Sequence, residues 1–107
     1  MIVGRALATS ISGLNANALR VRVAATNIVN LNTPGFKAET VRTVSINTTQ
    51  GAIGGSGVVA QVIESGNEVD LAFEFTRLIE AEAAYRAGVR VIQTIERIER
   101  ETINILA

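Results

Sequence analysis

Apolar residues recur along the first thirty positions at alternating spacings of four and three, with Ser, Thr, Asn, Gly and Arg between them. An apolar position every 3.5 residues on average, kept over three heptads, is typical of a helix that packs lengthwise on another helix. The pattern predicts a first helix over residues 1–31. Its seam, the line of contact with a partner helix, comprises Leu7, Ile11, Leu14, Ala18, Val21, Ala25 and Ile28.

The stretch NIVNLNTPGFKA supplies the end of this helix. Asn30 and Asn32 tolerate the left-handed backbone angles with which many helices end. Pro34 followed by Gly35 is the signature of a type II turn, in which the glycine takes a positive φ. The chain is therefore predicted to reverse its direction within residues 32–38.

Residues 39–64 are predicted to form a β-hairpin. ETVRTVSIN and GVVAQVIE are dense in β-branched residues, and the glycine-rich QGAIGGSG between them favours a turn. A lone two-stranded hairpin is marginally stable in water. We therefore expect it to pack on a helix or on a neighbouring subunit.

A second helix is predicted over residues 69–107, with Asn67 or Asp70 as its N-cap. Its apolar residues are again spaced by three and four, and Gly88 in its middle favours a close helix crossing. The candidate contact residues on this helix are Leu71, Phe75, Leu78, Tyr85, Val89, Ile92 and Ile95.

The order helix, turn, hairpin, helix predicts an α+β fold that is mainly α. Two long terminal helices of coiled-coil type flank the hairpin, and the 107 residues form a single domain. A monomer of this size with no Trp, one Tyr and three Phe has little material for a large core. The terminal helices are therefore expected to pack on each other or on copies of the chain.

The composition argues against catalysis and against a bound metal or cofactor. The chain has no Cys and no His, and Lys37 is its single lysine. Carboxylate pairs on the second helix, such as Glu80 with Glu82, have no nucleophile or base beside them. We therefore expect no enzyme, no cofactor and no small-molecule substrate.

The same reading predicts neither a membrane span nor a secretory signal. No run of about 18 apolar residues occurs, and Arg5 interrupts the apolar stretch at the N-terminus.

Charge is balanced overall but unevenly distributed along the chain. Residues 1–37 hold four bases and no acid (+4), whereas residues 38–107 hold ten acids and six bases (−4). The two parts can attract each other, within one chain or between copies. Four scattered bases are too few for a nucleic-acid site.

Both ends of the chain resemble the signatures of the bacterial flagellar rod and hook proteins. SGLNANALRVRVAATNIVNLNTPGFKA is similar to the N-terminal signature, and NEVDLAFEFTRLIEAEAAYRAGVRVIQT to the C-terminal one. The chain departs from the family pattern at Thr26, where a second Asn is common, and at Glu82, where a Gln is common. The motif residues at the end of the first helix are Asn27, Asn30, Thr33, Pro34, Gly35 and Phe36.

Only about thirty residues separate the two signatures in this chain. Hook and distal-rod relatives carry a large β-rich domain there, so the chain resembles a short, proximal type of rod protein. The resemblance implies a structural subunit of the flagellar basal body, in the rod that spans the periplasm. Its terminal helices would polymerise into a hollow axial shaft, and its hairpin would bridge to neighbours.

The resemblance also implies the partners of the chain. They are copies of itself, other rod proteins and the flagellar export apparatus, through which the chain passes without a cleaved signal peptide. The seams alone leave a second hypothesis open, a small adaptor that binds a helical partner. The adaptor hypothesis predicts a defined small complex, whereas a rod subunit assembles without closure.

Overall fold

Two long helices flank an antiparallel β-hairpin, and the predicted α+β, mainly α, class is confirmed. The elements are α1 (Ile2–Val29), β1 (Glu39–Asn47), β2 (Ser56–Glu64) and α2 (Leu71–Leu106). The computed structural model describes residues 2–47 and 56–106, with the backbone only of Ile2, Asn47 and Ser56. Met1, Ala107 and most of the predicted glycine-rich turn lie outside the described residues.

Helix α1 ends at Val29, and backbone groups pair with its last turn: the Asn30 N–H donates to the Thr26 carbonyl at 3.1 Å and the Leu31 N–H to the Ile28 carbonyl at 3.2 Å. The Asn30 side-chain amide donates a hydrogen bond to the Thr26 carbonyl at 2.8 Å, and Thr33 Oγ1 donates to Asn30 Oδ1 at 3.1 Å. Among the described residues, only glycines have a positive φ. The left-handed angle that Asn30 and Asn32 tolerate is therefore not used, and the Asn30 side chain adds a second donor to a carbonyl that the backbone already pairs.

The predicted turn follows directly. Gly35 has a φ of 77°, and the Phe36 N–H donates a hydrogen bond to the Thr33 carbonyl at 3.2 Å. A positive φ at the third residue, together with this bond across the turn, confirms the type II turn that Pro34 and Gly35 predict. The turn sends the chain back along α1 as strand β1.

The hairpin lies lengthwise on α1 and is anchored at its base by Asn27. This side chain is fully buried (0% exposed). Its amide nitrogen donates to the Glu39 carbonyl at 2.8 Å, and its oxygen accepts the Glu39 N–H at 2.9 Å. The asparagine thus pairs with both backbone groups of the first strand residue, as a neighbouring strand would.

A second bond holds the hairpin further along the helix. Ser12 Oγ accepts the Val58 N–H at 3.1 Å and donates to the Thr9 carbonyl at 2.7 Å. Fifteen helical residues separate Ser12 from Asn27, or about 22 Å at 1.5 Å per residue. Val58 pairs with Ser45, six residues along the strand from Glu39, or about 20 Å. The two anchors therefore match in spacing, and the hairpin runs straight along α1.

Helix α2 packs on another side of α1. Asp70 is its N-cap, since Asp70 Oδ1 accepts the Phe73 N–H at 3.3 Å. A Cβ atom at Gly88 would lie 3.3 Å from Leu14 Cδ1. The absence of a side chain there allows the close helix crossing that the sequence predicts.

The core is thin and the molecule is elongated. Its dimensions are 62 × 29 × 14 Å and its radius of gyration is 17.6 Å, against about 13 Å for a compact domain of this length. No helix within the described residues is long and apolar enough to cross a lipid bilayer. The buried apolar residues of the described chain are small: Ala16, Val23, Ala24, Ala38 and Ala81.

Replacing Asn27 is expected to loosen the base of the hairpin. Asn27→Ala leaves the Glu39 N–H and carbonyl without their partners in a partly buried place, which lowers the free energy of unfolding by about 2–3 kcal/mol. The control is Asn32→Ala, an exposed asparagine of the same segment, which should change stability by less than about 0.5 kcal/mol. Urea denaturation followed by circular dichroism gives both values, and equal effects would contradict the anchoring role.

Gly88 provides a test of the helix crossing. In Gly88→Ala, the added Cβ meets only the flexible end of Leu14, and alanine favours the helix by about 1 kcal/mol. Stability should therefore be unchanged or raised. Gly88→Leu places a large side chain in the crossing and should lower stability by about 1–3 kcal/mol. Thermal unfolding of the two variants tests this, and a leucine tolerated as well as the alanine would rule out a tight crossing.

Candidate subunit interface

The predicted seam of α1 separates into two rows, each with a spacing of seven residues. The inner row is half-buried, and one of its members, Leu14, contacts α2 at Gly88. The outer row, which alternates with the inner one, is exposed along its whole length. The monomer therefore uses only one side of the seam. The inner row comprises Leu7, Leu14, Val21 and Ile28, and the outer row Ile11, Ala18 and Ala25.

The most buried positions of α1 lie outside the predicted seam. Val23 and Asn27 are buried on another side of the helix, together with two alanines, Ala16 and Ala24. Alanine and asparagine contribute little to a hydrophobic pattern, so the periodicity did not reveal this face. The spacing of seven and four from Ala16 to Val23 and Asn27 is the signal that could have indicated it.

The predicted contact residues of α2 divide in the same way. Half-buried are Leu78, Val89, Ile92 and Ile95, and exposed are Leu71, Phe75 and Tyr85. Ile79, which the prediction leaves out, is 66% exposed. It lies four residues after Phe75 and eight after Leu71, on the same side of the helix. We call Leu71, Phe75 and Ile79 the start patch.

The outer face of the hairpin is also apolar. Val44 and Val59 pair directly across the strands, and both are exposed. Ile46 and Ile63 lie at alternate positions of the same two strands and are exposed as well. Antiparallel sheets with one solvated face normally carry polar residues there. This hairpin instead exposes apolar residues on the side that faces away from α1.

Polar side chains join the three packed elements. Arg77 Nη1 donates to Thr40 Oγ1 at 2.8 Å, and its guanidinium lies 4.5 Å from the centre of the Phe73 ring. This arginine links α2 to β1. Arg20 donates to Asn17 Oδ1 at 2.8 Å and weakly to a threonine of β1 at 3.4 Å.

A groove of about 330 Å³ runs between α1, β1 and α2. Its lining includes Arg20, Arg77 and Glu74, a carboxylate that is 3% exposed. The burial of Glu74 depends on α1, whose residues line the groove beside it. Within residues 2–47 and 56–106, no group of His, Cys, Asp or Glu has the arrangement of a metal site.

The motif residues at the end of α1 form one continuous structural unit. Asn27 anchors the hairpin, and Asn30 caps the helix. Thr33, Pro34 and Gly35 make the turn that ends at the half-buried Phe36. The unit therefore directs the chain from helix into strand.

Two family models match the chain. One, described as flagella basal body rod protein, matches residues 7–37, which hold most of α1 and the turn. The other, described as flagellar basal body rod FlgEFG protein C-terminal, matches residues 61–105, from the end of β2 through nearly all of α2. No curated protein matched the chain. Because an N-terminal rod model and a C-terminal rod model match its two ends and leave only residues 38–60 between them, the chain belongs to the flagellar basal body rod protein family.

Proposed function

We propose that this chain polymerises through its terminal helices into the hollow axial shaft of the flagellar rod and so serves motility. The family is one of structural rod proteins of the basal body, not of enzymes, and it suggests assembly with other rod proteins. The observation that carries the proposal is the exposed outer row of α1. It extends over 14 residues from Ile11 to Ala25, or about 21 Å of helix.

The outer row is suited to a helix of another subunit. Two of its three residues are Ala18 and Ala25, and small side chains let a second helix approach closely. The row also continues the heptad of the inner row, so a partner that packs there extends the same coiled-coil geometry. Subunits joined in this way bury the apolar surface that a monomer leaves in water.

The thin core fits a subunit that becomes stable only on assembly. Within the part of the chain that the structure describes, the largest buried apolar residue is a valine, and the rest are alanines. Such a core buries little apolar area per residue, so a subunit gains much of its stability from contacts with neighbouring subunits. A weakly stable monomer also unfolds readily. This supports passage through the flagellar export apparatus in an unfolded form.

Assembly through the outer row can be tested with a charge in its centre. Ala18→Glu places a carboxylate on an exposed residue, so the fold should persist while the helix contact fails. We expect the critical concentration for polymer formation to rise at least about tenfold, equivalent to about 1.4 kcal/mol. Light scattering and electron microscopy of the purified chain measure this, and swimming in soft agar reports the effect in cells.

Ala8→Glu is the matched control, because Ala8 is an exposed alanine of the same helix outside both rows. It should assemble and support swimming as the parent chain does. Normal polymerisation of Ala18→Glu would rule out the outer row as an interface. A closed complex of a few subunits with a different helical protein would favour the adaptor hypothesis instead.

The location of the chain in the basal body can be tested independently of the outer-row contact. Purified basal bodies, digested and quantified by mass spectrometry, should contain several copies of this chain per particle. The matched control is a preparation from cells in which its gene is deleted. Intact basal bodies that lack the chain would contradict a rod role.

A further inference from the structure

A cavity of about 490 Å³ lies at the base of the hairpin, between the start of β1, the segment after β2 and the start of α2. Its lining holds four acids and one base, Arg77. The guanidinium of Arg77 already donates to Thr40 and lies over the Phe73 ring. We call this space the base cavity, and its cavity acids are Glu39, Glu68, Asp70 and Glu74.

Glu74 is the most buried cavity acid, and its carboxylate has no partner. The residue is 3% exposed, and within residues 2–47 and 56–106 its side chain makes neither a hydrogen bond nor an ion pair. In the same residues no fully enclosed polar side-chain atom lacks a partner, so the Glu74 oxygens reach the cavity surface. The start of α2 offers them only the partial positive charge of a helix end. Burying a carboxylate is costly unless a donor or a cation pairs with it.

A pair of like charges adds to the negative potential beside the cavity. Glu39 and Glu64 are direct partners across the two strands, and like charges in opposite positions of a sheet repel each other. Lys37 is the nearest base along the chain, but it is exposed and forms no ion pair in the described part of the chain. The repulsion is therefore not compensated within one molecule.

The ligand that fits the base cavity is an organic cation. Four acids and one base give its lining a net charge of −3. The acids of the described residues do not have the arrangement of a metal site. A guanidinium or an ammonium group, which donates several hydrogen bonds to carboxylates, has the required chemistry.

Arg22 is the base best placed to supply this group from a second copy. It belongs to residues 1–37, which contain no acid. It is exposed, and its guanidinium has no partner among the residues that the structure describes. Because it lies four residues after Ala18 and three before Ala25, it flanks the outer row and faces the subunit that packs there.

Arg22 cannot reach the base cavity of its own molecule. Asn27 holds the cavity acid Glu39 against α1, so the cavity lies on the side of the helix that carries Asn27. Arg22 is five residues before Asn27, or about 140° around the helix. One copy can therefore supply its arginine on one side and receive another arginine on the opposite side.

We propose that Arg22 of one copy enters the base cavity of a neighbouring copy and pairs there with Glu74. The contact rests on the proposed polymerisation, and it names the surface of the neighbour that the outer row faces. A basic helix face that meets an acidic cavity favours one orientation of the two subunits. Orientations that bring two cavities or two basic faces together are disfavoured by repulsion.

Reversing the charge of Arg22 tests the pairing. Arg22→Glu alters an exposed residue, so circular dichroism should show that the helices are retained, while the new carboxylate is repelled by the base cavity. We expect the critical concentration for polymer formation to rise at least about tenfold. Arg5→Glu is the matched control, because Arg5 is an exposed base of the same helix about 140° around it from the outer row. It should polymerise as the parent chain does.

A compensating change in the cavity distinguishes a specific pair from a general effect of charge. Glu68 is exposed and lines the cavity, so Glu68→Arg should retain the fold and weaken assembly at least about tenfold. The double variant Arg22→Glu with Glu68→Arg should return the critical concentration to within about threefold of the parent value. A double variant that assembles no better than the weaker single variant would overturn the proposal.

Chemical coupling identifies the occupant directly. Lys37 is the single lysine of the chain, so Arg22→Lys adds one amine that a carbodiimide can join to a carboxylate in contact with it. Isotope-labelled and unlabelled copies, mixed under assembly conditions, should give products between position 22 of one copy and the cavity acids of another. Mass spectrometry should find these products at least about tenfold above those from position 5 in the control Arg5→Lys.

Other results would overturn the proposal in different ways. Products mainly between Lys37 and the cavity acids of another copy would assign the cavity to that lysine. Uncoupled cavity acids in a normal polymer would leave the cavity to a base of a different rod protein. If Arg22→Glu polymerises as the parent does, the pairing is wrong although polymerisation stands. A parent chain that forms no polymer would overturn the proposed function and this contact with it.

Discussion

The pairing of Asn27 with Glu39 is the interaction on which the arrangement of the molecule depends. A helix residue that is itself fully buried supplies a donor and an acceptor to the first residue of a strand. Buried polar groups that are fully paired define one geometry, because any shift leaves a donor or an acceptor without a partner. The hairpin is thereby held against α1 at its base, and Ser12 sets its direction further along.

The position of the hairpin determines which surfaces remain free. It covers the side of α1 that carries Ala16 and Val23, while α2 covers the inner row beside it. The outer row, the start patch and the outer face of the hairpin are left exposed. For a monomer of 107 residues this is a large amount of exposed apolar surface. Exposed apolar surface of this kind fits a member of a family of basal body rod proteins.

Small residues at the helix contacts connect the stability of the monomer with the proposed assembly. Ala24, Ala81 and Gly88 let the backbones approach closely, but they bury little area. The monomer therefore has a defined shape without the stability that large core side chains provide. In the proposed polymer, contacts along the outer row would supply burial that the monomer lacks.

The sequence by itself determined the elements, their order and the turn. Heptad spacing indicated both helices, β-branched density indicated the strands, and Pro34-Gly35 indicated the type II turn, since each of these signals is local.

The sequence could not determine which apolar residues of a helix pack inside the monomer and which stay exposed. The same heptad holds Leu14, which packs inside the monomer, and Ala18, which stays exposed. Only the placement of the hairpin and α2 around α1 decides between them, because burial depends on contacts between residues far apart in the chain. For the same reason, only the tertiary structure revealed that Asn27 and Glu74 are buried: polar residues are expected at a surface until another element covers them.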